Sequence, residues 1–478
     1  MLPKTQITFC TQNQELQQLY DTLCQRCKGN LQIFAGCPVL VEGGGYEKIW
    51  LETQPMGGEM YAGHHLEAAL NNQLFFMETQ REDGRLAGSI QAMPNGTVEA
   101  QFNKFQGFCF AWHALNLYYL TGRKAAYLDQ LASCLEKWDQ YLWAHRDSNG
   151  DGILETYCVY DTGEDNAVRF QGDPNYCSTD TPLPDCNVLP VASMDIMSFS
   201  YANRDTLATI SRIRGDGREA YWQEQAQAVA DKIKSALWDE VKGACFDKDK
   251  HGRVMPQLIH NNLRCMYWGS FDQEMADKFV QEHLLNPQEF WTALPLPSVA
   301  ANDPDFRNHA YNSWSGQCEG LTYQRAIMAL ENYGYEKIVT ALGKKFIWAA
   351  IDGGYHFTQQ FDPFTGKPSI VPIPSQQHGD VQGELVIQES YGPTMLALLE
   401  YIGHIWGIDI QMGEVWFSLG RGEAYTYTYA WGEHTYTIDS NGNRADVWVD
   451  GLLRYNLPCG IRLITDEKGQ MLRTRVIE

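Results

Sequence analysis

Apolar residues recur at helical spacing through the first four hundred positions. Leu66, Leu70, Leu74 and Met77 fall on one helix face, and Phe108, Trp112, Leu115 and Tyr119 repeat the pattern until Gly122 stops it. Leu128, Leu131, Leu135, Trp138 and Leu142 form a third stripe, Val229, Ile233 and Leu237 a fourth, and the stretch from Cys318 to Tyr333, closed by Gly334, a fifth. Stretches near 192–212, 272–284, 335–350 and 393–406 behave alike, which predicts roughly nine to eleven helices. Between them run loops rich in Gly, Pro, Asp and Trp. Those at 144–190 and 351–390 are too long to be mere connectors, and long loops in a compact domain usually carry function. Helices in series without βαβ alternation predict an all-α solenoid or toroid, and large loops gathered at one end favour an (α/α)6 barrel.

After about residue 411 the period changes to two. Segments such as AYTYTYAW and ADVWV alternate β-branched or aromatic residues with polar ones, and Asn441-Gly442 is a hairpin signal. The expected organisation is an (α/α)6-barrel catalytic domain over 1–410 and a small C-terminal antiparallel β domain over 411–478.

At 478 residues, 44% hydrophobic and 20% charged, the chain is an ordinary folded protein of one or two domains. Its 37 basic and 59 acidic residues leave a net charge of −22. Such a surface repels phosphate backbones and anionic lipid, so neither a nucleic-acid nor a membrane partner is expected. The N-terminus shows no basic segment followed by an apolar run, and no stretch of eighteen apolar residues occurs, so the expected location is cytoplasmic. Thirteen irregularly spaced cysteines, with Cys24 and Cys27 the single CxxC pair, read as mostly buried thiols in a reducing compartment. Aromatics reach 12%, with many Trp in loops beside acids and amides. That combination suits a sugar ring, which offers an apolar C–H face and a rim of hydroxyls. The expected partner is a small carbohydrate, with homo-oligomerisation left open.

The most informative stretch is RDSNGDGILETYCVYDTGEDNAVRF (146–170). It sets Asp161, Glu164 and Asp165 in a Gly-containing loop with Asn166 and Arg169 behind. A carboxyl shielded by aromatics there can act as a general acid, although the same residues would also make a solvated acidic turn. The loop resembles the RDxDGDGLxEW and ESGWDNSPR pattern of glycoside hydrolase family 63 and its clan G relatives, which include trehalases. Glu164 stands where that family usually has Trp. The segment EFWTALPLPSVAANDPDF (289–306) resembles the family's PLPSVA stretch. YNSWSGQCEGLTYQRAIMALENYG (311–334) resembles its YWRGPVW helix start, with Trp314 and Gly316 matching and Ser315 replacing an arginine.

The resemblance spans about 140–406. It implies an (α/α)6 barrel and an inverting hydrolase whose general acid falls at Asp165, with Asn166 and Arg169 matching. Inversion needs a second carboxylate, about 6.5–9.5 Å away, to activate water on the opposite face of the sugar. The family's base aligns with Gln359 in FTQQFDPFTGKP (357–368), and glutamine takes no proton from water. Three readings follow: an inactive base-to-Gln variant, natural loss, or a different base. Glu384 and Glu389 are the nearby candidates for that base, and Glu389 also reads as a carboxylate favoured at a helix N-terminus.

Loops near the start of the barrel add candidate substrate contacts: Trp50, Glu52 and Gln54 in IWLETQPMGGEMYA, and Arg81 and Asp83 in QREDGRLAG. Asp161, Asn166, Arg169, Trp314, Gly316 and Gln317 complete the set, with Trp50 and Trp314 as ring-stacking platforms; each could equally be a structural residue. Asp147, Asn149, Asp151 and Gly152 mimic the opening of a calcium loop, but Cys158 stands where its bidentate Glu belongs, so an Asx-capped turn is expected. No metal-ligand spacing, P-loop or dinucleotide fingerprint occurs, and no cofactor is expected.

These readings point to an inverting exo-acting α-glycoside hydrolase, an α-glucosidase acting on a disaccharide or small glucoside. A glycoside phosphorylase on the same barrel would need a basic phosphate pocket, for which the motifs offer Arg169 and Arg81. An epimerase would need paired catalytic histidines, and a non-catalytic sugar-binding protein would follow if Gln359 is natural and no other carboxylate faces Asp165.

Overall fold

A computed structural model describes residues 2–310, 313–376 and 382–478; the side chains of 373–376, 382–384 and 386 lie outside what it describes. Among the described residues it contains twelve α-helices. They are α1 (Gln14–Gly29), α2 (Gln54–Met60), α3 (Ala62–Glu78), α4 (Ala111–Leu120), α5 (Ala125–His145), α6 (Met194–Arg214), α7 (Glu219–Ala236), α8 (Asn261–Trp268), α9 (Gln273–Phe279), α10 (Gly320–Glu331), α11 (Glu336–Asp352) and α12 (Gly392–Trp406).

The helices the pattern predicts have local reasons to form. In α5, Leu128, Leu131, Leu135, Trp138 and Leu142 are all buried. Ser193 caps α6 by accepting from Ile196 N, and Gly215 closes it in the left-handed conformation at φ 64°. Three helices have no counterpart in the predicted set. α1 is amphipathic, with Asn13 capping it and Leu16, Leu19, Tyr20, Leu23 and Cys27 buried. α2 is short and contains two glycines. α8 reads NNLRCMYW and buries all eight side chains, so it shows no polar face and no stripe.

Alternate helices pack on one another in a closed circuit: α2 on α4, α4 on α6, α6 on α8, α8 on α10, α10 on α12, and α12 back on α2. Five of the others lie against this ring, α3 on α2, α5 and α7 on α6, and α1 and α11 on α12. The approach of α10 to α12 depends on Gly320, where a Cβ would lie 1.9 Å from Thr394 Oγ1 and 2.9 Å from Thr394 Cα.

The β region holds two antiparallel sheets. One is four-stranded, built from Ile408–Gln411, Glu414–Leu419, Ile461–Asp466 and Met471–Val476. The other is five-stranded, and its first strand comes from the start of the chain: Thr5–Thr11 pairs with Ala424–Trp431, Thr5 opposite Trp431. The Asn441-Gly442 turn links His434–Asn441 to Arg444–Val449, with Gly442 at φ 86° and Asn441 Oδ1 accepting from Arg444 N. The β layer thus takes in residues well before 411. One hydrophobic cluster runs from Phe9 through the helices to Leu463. Ten of the thirteen cysteines are buried. No helix among the described residues is long and apolar enough to cross a membrane.

The C-terminal halves of α10 and α12 meet the β layer through buried charge. Glu331 accepts from Arg462 Nη1 at 2.7 Å and lies 2.9 Å from His404 Nδ1. Burial pushes the Glu331 carboxyl up, but Arg462 and His404 overcome it and hold it at about 2, against an ordinary 4.5. A group whose pKa is depressed on folding contributes stability above its unfolded value and loses it as pH falls through the folded one. The gap corresponds to about 3 kcal/mol at about 1.4 kcal/mol per pH unit. The advantage of wild type over Glu331→Gln in chemical denaturation should therefore be full at pH 6 and shrink steadily between pH 4.5 and 2. A difference independent of pH would exclude this linkage.

Candidate active site

The loops entering five of the six ring helices from their N-terminal ends converge on one pocket. Glu42, Tyr46, Trp50 and Glu52 come from the chain before α2, and Lys104 and Gln106 from that before α4. Tyr160, Gly163, Asp165 and Tyr176 lie on the long loop before α6. Trp314 comes from the segment before α10, and Gln359 and Tyr391 from that before α12.

The loop that carries Asp165 is clamped on both sides. Glu164 makes a two-pronged ion pair with Arg169, Oε1 to Nε at 3.0 Å and Oε2 to Nη2 at 2.5 Å, and also accepts from Asn261 at 3.0 Å. Arg169 reaches on to Asp247 at 2.7 Å. The departure from the family's Trp is thus a buried anchor. Asn166 adopts a left-handed φ of 56°, which turns the chain behind Asp165. Across the loop, Trp314 N donates to the Asp165 carbonyl at 3.1 Å, and Ser315 Oγ accepts from Val168 N at 2.9 Å. Ser315, in place of an arginine, ties the two segments together. Gly163 passes so close to Glu52 that a Cβ would lie 2.3 Å from its Oε1.

Glu52 forms the charged floor. It accepts from Arg325 Nη2 at 3.0 Å, with Arg264 at 4.0 Å. Burial nevertheless raises its carboxyl above the ordinary value, the two arginines offsetting only part of the effect. The Trp314 ring lies under the Arg264 guanidinium at 4.9 Å, and Trp50 is flanked by Lys48 and Lys104 at 5.2 and 5.3 Å. Gln359 is held by its oxygen, which accepts from Tyr46 OH at 3.2 Å and Gln388 Nε2 at 2.9 Å.

Of the residues singled out from sequence, Trp50, Glu52, Asp165, Trp314 and Gln359 line this pocket. The others stand elsewhere. Asp161 is fully buried beneath it, accepting from Arg146 at 2.6 Å and from the backbone of Phe105 and Tyr157; burial raises its carboxyl, but Arg146 and those donors bring it below the ordinary value. Gln54 accepts from Trp50 N at 2.7 Å and fixes the turn into α2. Arg81 pairs with Asp83 and Asp180, a surface latch between two loops. Arg169 is consumed by Glu164 and Asp247. Gly316 is needed for close packing, since a Cβ there would lie 2.2 Å from the Arg307 carbonyl oxygen. Gln317 bridges Asn308 and Ser369. Glu389 is a third exposed, pairs with Arg26 at 2.9 Å and contacts His356, and is not among the residues that line the pocket. The Glu384 side chain lies outside the described residues, as do Tyr311 and Asn312 of the YNSW motif. At 147–153, Asn149 Oδ1 accepts from Asp151 N and Asp151 Oδ1 from Ile153 N, the Asx turns expected, and Asp147 Oδ2 accepts from Gly152 N across the loop.

Sequence reasoning missed Glu42, Tyr46, Lys104, Gln106, Tyr160, Tyr176 and Tyr391. The run of three glycines at 43–45 is the signal that could have found Glu42 and Tyr46, because it demands a sharp turn that carries both into one space. Tyr391 lies in the IQESYGPT segment, two residues from the Glu389 considered in its place.

Solved structures with this fold include the family 63 mannosylglycerate hydrolase of Thermus thermophilus in complex with glucose, 15% identical over 80% of this chain and 99% of that one, TM-score 0.61. The neutral trehalase of Saccharomyces cerevisiae matches 77% of this chain and 74% of its own at 14% identity and TM-score 0.59. A rhamnosidase from Klebsiella oxytoca, with rhamnose bound, matches 84% and 66% at 11% identity and TM-score 0.53. At such identities these likenesses speak to the fold. The sequence profile of the mannosylglycerate hydrolase MGH1-like glycoside hydrolase domain matches residues 59–379, well over half the chain and the part that builds four of the six ring helices and most of the pocket, and the chain belongs to this family 63-like group of glycoside hydrolases.

Proposed function

We propose that the protein is an inverting, exo-acting α-glycoside hydrolase, an α-glucosidase acting on a disaccharide or small glucoside, with Asp165 as the general acid. Its frame is an (α/α)6 toroid with α2, α4, α6, α8, α10 and α12 in circuit, and the segments leading into five of them, all but α8, line the pocket. The β strands after 411 form a second unit that also recruits the N-terminal strand. The buried free thiols support a reducing, cytoplasmic setting.

The observation that carries this reading is the placement of Asp165. Its loop is fixed from behind by Glu164 and Arg169 and from the side by Trp314, while Trp50, Tyr46 and Tyr391 supply aromatic walls around two further carboxylates. Such walls take the C–H face of a sugar, and the acids and amides take its hydroxyls. A pocket fed by helix-entry loops, and not an open groove, suits removal of a terminal residue from a short substrate.

The test is to incubate the protein with α-linked glucosyl and mannosyl disaccharides and glycerates and follow the first-formed anomer by proton NMR. Inversion delivers the β-anomer before mutarotation. An α-anomer formed first would exclude inversion. A glycoside phosphorylase is the second reading, favoured by Lys104 on the pocket wall. It would release sugar 1-phosphate, and only when inorganic phosphate is added.

A further inference from the structure

We propose that Glu42 is the general base of this site, taking the part that Gln359 cannot play. The inference rests on the hydrolase reading above. Hydrolysis with inversion needs a carboxylate that can reach the attacking water, and the amide at Gln359 accepts no proton. Among the described residues, three carboxylates line the pocket: Asp165, Glu52 and Glu42. Asp165 is assigned to the leaving group. Glu52 is engaged elsewhere: its carboxylate is held by Arg325 at 3.0 Å, with Arg264 at 4.0 Å, and those two cations offset part of the rise that burial causes. Glu42 has no cation within ion-pair distance among the described residues, and its one hydrogen bond comes from a neutral donor, Tyr391 OH, 3.0 Å from Oε1.

Glu42 belongs to the wall that holds Gln359. Tyr391 donates to Glu42, Tyr46 donates to Gln359, and the two tyrosine rings meet edge to face at 6.2 Å. The backbone fixes the position rigidly. Gly43, Gly44 and Gly45 all take positive φ, at 76°, 62° and 92°, and the Glu42 carbonyl accepts from Gly392 N at 2.6 Å at the start of α12. At Gly43 a Cβ would lie 2.5 Å from the Ser390 carbonyl oxygen, so the turn admits only glycine. Burial, with Glu52 and Asp165 nearby, raises the Glu42 carboxyl well above the ordinary range, which strengthens it as a proton acceptor.

In the step assigned to it, the oxygen of a water molecule bonds to the anomeric carbon as one of its protons passes to the Glu42 carboxylate. The glycosidic C–O bond breaks, and its electron pair stays on the leaving oxygen, which takes the proton of Asp165.

The experiment uses the full chain and an α-glycosyl fluoride of the sugar that wild type releases, since fluoride departs without a proton. Glu42→Gln should lower hydrolysis of the fluoride and of the disaccharide alike, by about a hundred- to ten-thousand-fold, because the base is needed for both. Glu42→Ala with sodium azide should recover consumption of the fluoride and yield the inverted glycosyl azide, which a merely structural role would not produce. If Glu42→Ala does not fold, Glu42→Gln decides alone, being isosteric and able to keep the Tyr391 bond. Wild-type hydrolysis with inversion that Glu42→Gln leaves intact would overturn the assignment while sparing the hydrolase reading. So would Gln359→Glu raising turnover about a hundredfold while Glu42→Gln is silent. A wild type that retains configuration or hydrolyses no glycoside overturns both together.

Discussion

Replacing Asp165 with Asn should lower turnover of an unactivated α-disaccharide by about a hundred- to ten-thousand-fold, the usual contribution of a positioned acid. The change is isosteric, and the bond from Trp314 N runs to the Asp165 backbone carbonyl, so the loop keeps its clamp. What is lost is the proton delivered to the leaving oxygen. An alkoxide leaving group needs that proton, whereas fluoride or a nitrophenolate leaves nearly as well without it. Asp165→Asn should therefore retain most of its activity on an activated α-glycosyl fluoride while failing on the disaccharide. The alkaline limb of the pH profile should flatten as well, because the group that must stay protonated is gone. Equal activity of wild type and Asp165→Asn on the disaccharide would remove Asp165 from the mechanism. Equal losses on both substrates would point instead to the base or to a disturbed pocket.

The second large effect is on stability. Arg169→Met should destabilise the protein by about 3–5 kcal/mol in chemical denaturation, the range seen when one partner of a buried ion pair is removed. Arg169 alone bridges Glu164 and Asp247, and without it two buried carboxylates lose their shared cation and keep only weaker partners, among them Asn261 for Glu164 and Met194 N for Asp247. Glu164 shows how much the arginine matters: burial raises its carboxyl, yet Arg169 brings it below the ordinary value. Arg169→Lys should recover only part of the loss, since an ammonium cannot reproduce the two-pronged contact. Because Asp165 follows Glu164 directly, kcat should fall along with stability. If Arg169 instead contacted substrate, its replacement would raise KM and leave the unfolding midpoint where it was, and that outcome would refute the structural role.

Much of this organisation was legible in the amino-acid order because it depends on local periodicity. α5 and α7 each bury one stripe against the ring, so their spacing of three and four is written into the chain. The alternation after 411 is equally local, and the Asn441-Gly442 turn closes the hairpin it signals. The Asp165 loop and Trp314 were legible for a different reason: short runs of residues keep a family's pattern, and the bond from Trp314 N to Asp165 O shows that these two runs, far apart in sequence, form one unit.

What the tertiary structure alone decided is which polar residues face the pocket. Asp161 and Asp165 stand four positions apart in one loop, yet Asp161 is sealed by Arg146 while Asp165 reaches the cavity. Arg169 and Arg81 look like substrate contacts in sequence and Glu389 like a base, but each has an opposite charge brought to it from a distant segment. The strand Thr5–Thr11 joins a sheet whose other members lie more than four hundred residues away, a pairing that no window of sequence contains. α8 escaped detection because a helix buried on every side has no polar face to set its period. Helix and strand periods are properties of neighbouring residues, whereas the partner of a charge is set by which loops the closed ring of helices brings together. That physical difference is why the frame and two of the pocket's three carboxylates could be read from the chain, and why Glu42 emerged only when the ring closed around it.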